Sequence, residues 1–177
     1  MKKYIIFLFV TLISSPFFAQ TTAFDRFNAQ DDIKAIVVNK KMFELMSKVK
    51  VDASDLETQR YMNLIKKLDN LKVYTTTSTS TTSDMKSTAD KYVKTAGLDE
   101  LMRINDKGKN VKISVKSAGT DNQIQELLMF IEGGGANNET VLMSLTGNFN
   151  LNEISVLTDK MKIPGGEDLK KVTKQAK

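Results

Sequence analysis

Residues 98–117, LDELMRINDKGKNVKISVKS, read as two strands around a turn, and the fold class follows from what stands on either side of them. Leu98 to Ile104 and Val111 to Lys116 flank Asp106-Lys107-Gly108-Lys109, a Gly-bearing connection suited to a β-hairpin. Val111, Ile113 and Val115 alternate with Lys112, Ser114 and Lys116, so this strand is expected to have one buried and one wet face. Ile124 to Ile131 is apolar on both faces, the pattern of a central strand. Gly133-Gly134-Gly135 and Asn137-Asn138 make the next turn, and Val141, Met143 and Leu145 the next strand.

Upstream the pattern mixes strands with helices. Phe24 and Phe27 are spaced to share one face of a helical turn. Ile33, Ala35, Ile36, Val37 and Val38 read as a buried strand, and Asn39 as the cap of a following helix. In that helix Met42, Leu45, Met46 and Val49 form the apolar stripe, with Phe43 beside it. A second helix, from about Ser54 to Asp69, carries Tyr61, Leu64, Ile65 and Leu68 behind a Ser54 or Asp55 cap. Leu71, Val73 and Tyr74 suggest another strand.

Every residue from Thr75 to Ser83 is Ser or Thr, which reads as a strand end and solvated linker closed by a Ser83 cap. Met85, Ala89, Tyr92, Val93 and Ala96 then form a third helical stripe, which Gly97 stops. Downstream of the meander, Asn150 and Glu153 form a capping box for a last helix with Leu151, Ile154, Leu157 and Met161, ended by Pro164-Gly165-Gly166. The expectation is an α+β domain: a mixed or largely antiparallel sheet with helices on one face, built as two strand-helix units, a β-meander and a C-terminal helix.

Lys2 and Lys3 precede an apolar run from Tyr4 to Val10, which continues with interruptions to Ala19. Thr11, Ser14, Ser15 and Pro16 break it well short of the roughly 20 apolar residues that a spanning helix needs. Residues 1–20 therefore read as a secretory signal peptide, residues 21–163 as one α+β domain, and residues 164–177 as a basic, flexible tail. The expected location is periplasmic or secreted, without stable membrane insertion. With no Cys, the chain is not a thioether-linked lipoprotein.

Cys, His and Trp are all absent. Their absence removes thiol nucleophiles, disulfides, Cys or His zinc sites and every triad that uses imidazole. The formal charge of +5 is carried partly by Lys2 and Lys3 in the leader and by Lys170, Lys171, Lys174 and Lys177 in the tail. The remaining body has no basic stripe interleaved with aromatics, so nucleic acid is not an expected partner.

The segments VVNKKMFELMSKV (37–49), DELMRINDKGKNVKISVK (99–116), QELLMFIE (125–132) and VLMSLTGNFNLNEISVL (141–157), in this order, resemble the family known as domain of unknown function 4252. The resemblance spans nearly the whole chain after the leader. It implies a small exported protein of Gram-negative bacteria with one α+β domain behind a signal peptide. It implies no activity and no catalytic residues.

Several residues are candidates for function. Glu126 sits in a strand expected to be buried on both faces, where a carboxylate needs a partner or a raised pKa. Asp31-Asp32 and Asp99-Glu100 are the other carboxylates beside apolar structure. Met42 and Met46, one helical turn apart, could offer thioethers to Cu(I), but the same spacing serves a core face, and no metal or other cofactor is expected. The Gly133–Gly135 triplet lacks the Lys-Ser/Thr continuation of a phosphate loop and reads as a hairpin turn. Asn138-Glu139-Thr140 fits a glycosylation sequon, a short match of little weight.

Val111, Lys112, Ile113, Ser114, Val115 and Lys116 are the expected contact edge, because alternating Lys residues commonly protect a sheet edge. The function expected from these features is a non-catalytic binding or protein-interaction domain of the cell envelope, with an envelope protein as partner. One alternative is a metal-independent envelope enzyme using carboxylate, Lys or Ser chemistry. The other is a carrier of a small apolar ligand, suggested by Phe24, Phe27 and the Met-rich helix.

Overall fold

The protein is described by a computed structural model at residues 23–50, 52, 54–106, 108–119, 123–134, 138–162 and 164–175. The expected leader, residues 1–20, lies outside these. Among the described residues six strands form one sheet: β1 (Lys34–Asn39), β2 (Leu68–Thr76), β3 (Asp99–Asp106), β4 (Lys109–Ser117), β5 (Gln123–Gly134) and β6 (Glu139–Asn150). The strand order is β1-β2-β6-β5-β4-β3, and every neighbouring pair is antiparallel. The helices are α1 (Lys40–Met46), α2 (Leu56–Ile65), α3 (Thr79–Ala96), α4 (Ile154–Met161) and α5 (Gly166–Gln175). None of the described helices is long and apolar enough to cross a membrane.

The α+β class and the meander β3-β4-β5-β6 agree with the reading of residues 98–145. Local capping agrees as well. Asn39 Oδ1 accepts from the Met42 N–H at 3.0 Å, Asp55 Oδ1 accepts from the Thr58 N–H at 2.9 Å, and Asn150 and Glu153 close a reciprocal capping box. Gly97 ends α3 in the left-handed region at φ 66°, where a residue with a Cβ would be strained.

The helices cover both faces of the sheet instead of one. On the first face Leu71, Val73, Ile113, Leu127, Met143 and Leu145 meet Phe43 of α1, Leu64 and Ile65 of α2, and Leu157 of α4. On the second, Tyr74, Leu128, Phe130 and Leu142 meet Met85, Ala89 and Tyr92 of α3. The physical reason lies in β5 and β6, whose consecutive apolar residues leave no wet side. Phe24 and Phe27 sit in and beside a single 3-10 turn and complete the second cover. Both are fully buried, ring to ring with Tyr92 and Tyr74 respectively.

Four further expectations are corrected. β1 is an exposed outermost strand, not a buried one, because β2 occupies the position next to β6. In α1 the buried side chain is Phe43, with Met46 packed partly beneath it, while Met42 and Leu45 are exposed. A helix of two turns can present only one narrow stripe to the sheet, and the largest apolar side chain takes it. The Ser/Thr run is no linker: Thr75 and Thr76 end β2, Ser78 is the cap, and Thr79 to Ser83 open α3. The segment read as a flexible tail contains α5, where Leu169 is buried in the first core and Asp168 Oδ2 accepts from Lys109 Nζ at 2.7 Å.

The phase of α1 can be checked by stability. Phe43→Ala is expected to cost about 3–5 kcal/mol, as for a buried aromatic. Met42→Ala should change stability by less than about 0.5 kcal/mol, as for an exposed position. Equal losses in urea unfolding would restore the Met42-centred stripe.

Candidate functional site

The expected contact edge, Val111 to Lys116, is inside the sheet. β4 pairs with β5 on one side and β3 on the other, so it has no open backbone for an added strand. Val111, Ile113 and Val115 enter the first core. The opposite face is not wet. Ser114 is buried, and its Oγ has no hydrogen-bond partner among the described residues. Lys112 Nζ reaches Asp90 of α3 at 2.8 Å, and Lys116 Nζ donates to the Ala96 carbonyl at the end of α3 at 3.3 Å. The alternating Lys residues thus bind the strand to α3 and do not guard an edge.

Glu126 lies on this second face, with Lys116 opposite it on β4 and Thr146 on β6. The residue is 1% exposed. Burial raises the pKa of its carboxyl above the usual range, while a hydrogen bond from Tyr92 and the Lys116 charge act in the other direction. Tyr92 is itself under Phe24. Glu126 is therefore a sealed carboxylate, closed off from any substrate by α3 and the N-terminal turn. Asp99 is exposed on the outer strand β3, where it pairs with Val115; β4 stands between it and Glu126.

The other carboxylate candidates are surface groups. Asp31 and Asp32 precede β1 and are exposed. Asp32 accepts from the Thr81 hydroxyl, and hydrogen bonds from Thr81 and Ser78 hold its pKa below the ordinary value. Among the described residues no three acidic side chains gather as a metal site. Met42 and Met46 do not form an enclosed thioether pair, since Met42 is exposed and Met46 is packed against the core. Phe24 and Phe27 belong to the second face and α1 to the first, so the residues proposed to line one apolar cavity are on opposite sides of the sheet. Asn138 of the sequon is exposed, whereas Thr140 is buried and hydrogen-bonded to Thr82 at 2.7 Å.

The feature missed in the sequence is the β1 edge. Ile36, Val37, Met42, Leu45, Val49 and Leu56 are between 41% and 65% exposed, and they fall within one short stretch of chain. Ile36 and Val37 point to opposite faces of β1, so both sides of this strand are apolar. Its register with β2 runs unbroken from Lys34 to Asn39, with no bulge and no proline. The opposite sheet edge differs. β3 has a bulge between Glu100 and Met102 and carries Asp99, Glu100, Arg103 and Asp106, the devices that keep an edge from pairing. The sequence signal was available in the absence of charges from Ala35 to Val38, but that signal equally describes a buried strand.

The titration of Glu126 gives a prediction with a definite sign. Its folded pKa is raised, so the native state holds the proton more tightly than the unfolded chain, and stability falls as pH rises from the unfolded pKa through the folded one. Glu126→Gln should therefore raise the melting temperature above that window and give a smaller gain below it. A gain independent of pH would show that the carboxyl is not strained by burial.

Comparison with curated proteins and with solved structures finds no match. A family model does match, over residues 27–157, from the first buried turn into α4. The chain belongs to the family described as domain of unknown function (DUF4252).

Proposed function

We propose that this chain is an exported, non-catalytic interaction domain of the cell envelope, and that it binds protein through β1 and the exposed apolar side of α1. The observation that carries this reading is the contrast between the two sheet edges. β3 is bulged and charged, while β1 is straight, uncharged from Ala35 to Val38 and apolar on both faces. Such an edge offers unpaired backbone donors and acceptors to an added strand, and flanking side chains for selectivity. The leader-like residues 1–20 support export. The enzyme alternative has less support, because its best carboxylate, Glu126, is sealed. The ligand-carrier alternative needs Phe24, Phe27 and α1 together, and they lie on opposite faces.

The test is a photo-cross-linking amino acid placed at Val37, at Leu45 or at Arg60 of the full chain in the cells that produce it. Discrete protein adducts are expected from Val37 and Leu45 and none from the exposed Arg60 of α2. Folded protein that yields no adduct from either apolar position would overturn the assignment of this surface.

A further inference from the structure

The β1 edge carries opposite charge at its two ends. Asp31 and Asp32 precede the strand, Lys40 and Lys41 follow it, and all four are exposed. Between them the only charge is Lys34, the first residue of the strand. A surface with an acidic end, an apolar middle and a basic end is complementary to its own copy turned by a half rotation. A parallel pair would instead set acid against acid and base against base.

We propose that the occupant of the β1 edge is a second copy of this chain, joined by antiparallel β1–β1 pairing about a two-fold axis at Ile36. This rests on the reading of β1 as the binding surface. The register follows from three constraints. A continuous sheet requires residues opposite one another to share a face, so the axis passes through a residue and not between two. An axis at Val37 would set Lys34 against Lys40 of the second copy. An axis at Ala35 would leave only Lys34 to Ile36 overlapping.

With the axis at Ile36, Lys34 faces Val38 of the second copy, Ala35 faces Val37, and Ile36 meets its own copy. The same count continued past the strand brings Asp32 toward Lys40 and Asp31 toward Lys41, at both ends. Asp32 is already engaged by Thr81, and Lys40 by Asp69 at 2.8 Å, which leaves Asp31 and Lys41 as the main added pair. Lys41 is well placed for this, with a 3.6 Å contact to Glu44 as its ion pair among the described residues and a side chain 72% exposed. The result is one twelve-stranded sheet of closed two-fold symmetry, with a copy of α1 on the same face at either side of the axis. Each β1, exposed in one copy, becomes an interior strand.

The test uses the chain from residue 21 onward, which contains every described element and both cores. Sedimentation across the micromolar range should show a dimer. Ile36→Asp sets two carboxylates across the axis and should give a monomer with an unchanged circular dichroism spectrum. Asp31→Lys and Lys41→Asp should each weaken the dimer about fivefold to tenfold, since each change acts at two ends. Combined, they should restore it, a rescue that a folding defect would not show.

The native chain has no Cys, so oxidation of Ile36→Cys should yield a covalent dimer. Lys34→Cys should not, because the two sulfurs would be about 13 Å apart along the strands, beyond the disulfide limit. A chain monomeric throughout, or a dimer indifferent to Ile36→Asp, overturns the proposal. The Val37 photo-adduct separates this failure from that of the binding surface itself. An adduct of twice the chain mass supports the second copy, an adduct with a different protein overturns the second copy and leaves β1 a binding edge, and no adduct overturns both.

Discussion

β5 and β6 are apolar on both faces, and the rest of the structure is arranged around covering them. Leu127, Met129 and Ile131 point one way from β5, and Leu128 and Phe130 the other. Leaving either set in water would forfeit a large share of the burial that stabilises a domain of this size. The first face is closed by α1, α2, α4 and α5. Among the described helices the second has only α3, too narrow for a sheet of this width, and the N-terminal turn with Phe24 and Phe27 fills the remaining space.

The two-sided cover explains the polar groups between the sheet and α3. Lys72, nearly buried on β2, is paired with Asp25 of the N-terminal turn at 2.6 Å, and Tyr74 donates to Asn28 Oδ1 at 2.8 Å. Lys112 and Lys116 tie β4 to α3, and Glu126 shares the hydrogen bond from Tyr92. A polar side chain in such a layer is costly unless partnered, so these contacts define how α3 and the N-terminal turn sit on the sheet. They are partners within the fold. The carboxylate that looked most like a catalytic group is therefore part of the second layer.

The two ends of the sheet meet the edge problem differently. β3 carries charges and a bulge, whereas β1 presents both apolar faces and an unbroken backbone. In the isolated chain β1 is the place where the consistency between sequence and environment fails, since an uncharged β-branched run lies in water. Such a local conflict is what a binding surface looks like before its partner arrives.

The amino-acid sequence by itself determined the types and order of the six strands and of α1 to α4, though not α5, together with the meander from Leu98 to Leu145 and the caps at Asn39, Asp55, Gly97 and Asn150. These depend on groups within a few residues of each other, such as Asn39 with the Met42 N–H. Tertiary structure alone decided the strand order, the second helical layer and the exposure of particular apolar residues. Alternating Lys residues on β4 suit an edge or a helix-covered face equally well, and Asp90, remote in sequence, selects the latter. The run from Ala35 to Val38 suits a central or an outer strand, and the pairing of β2 with β6, about seventy residues apart, leaves β1 outside. Local patterns specify which surfaces are apolar, but only the pairing of distant segments specifies which of them remain uncovered.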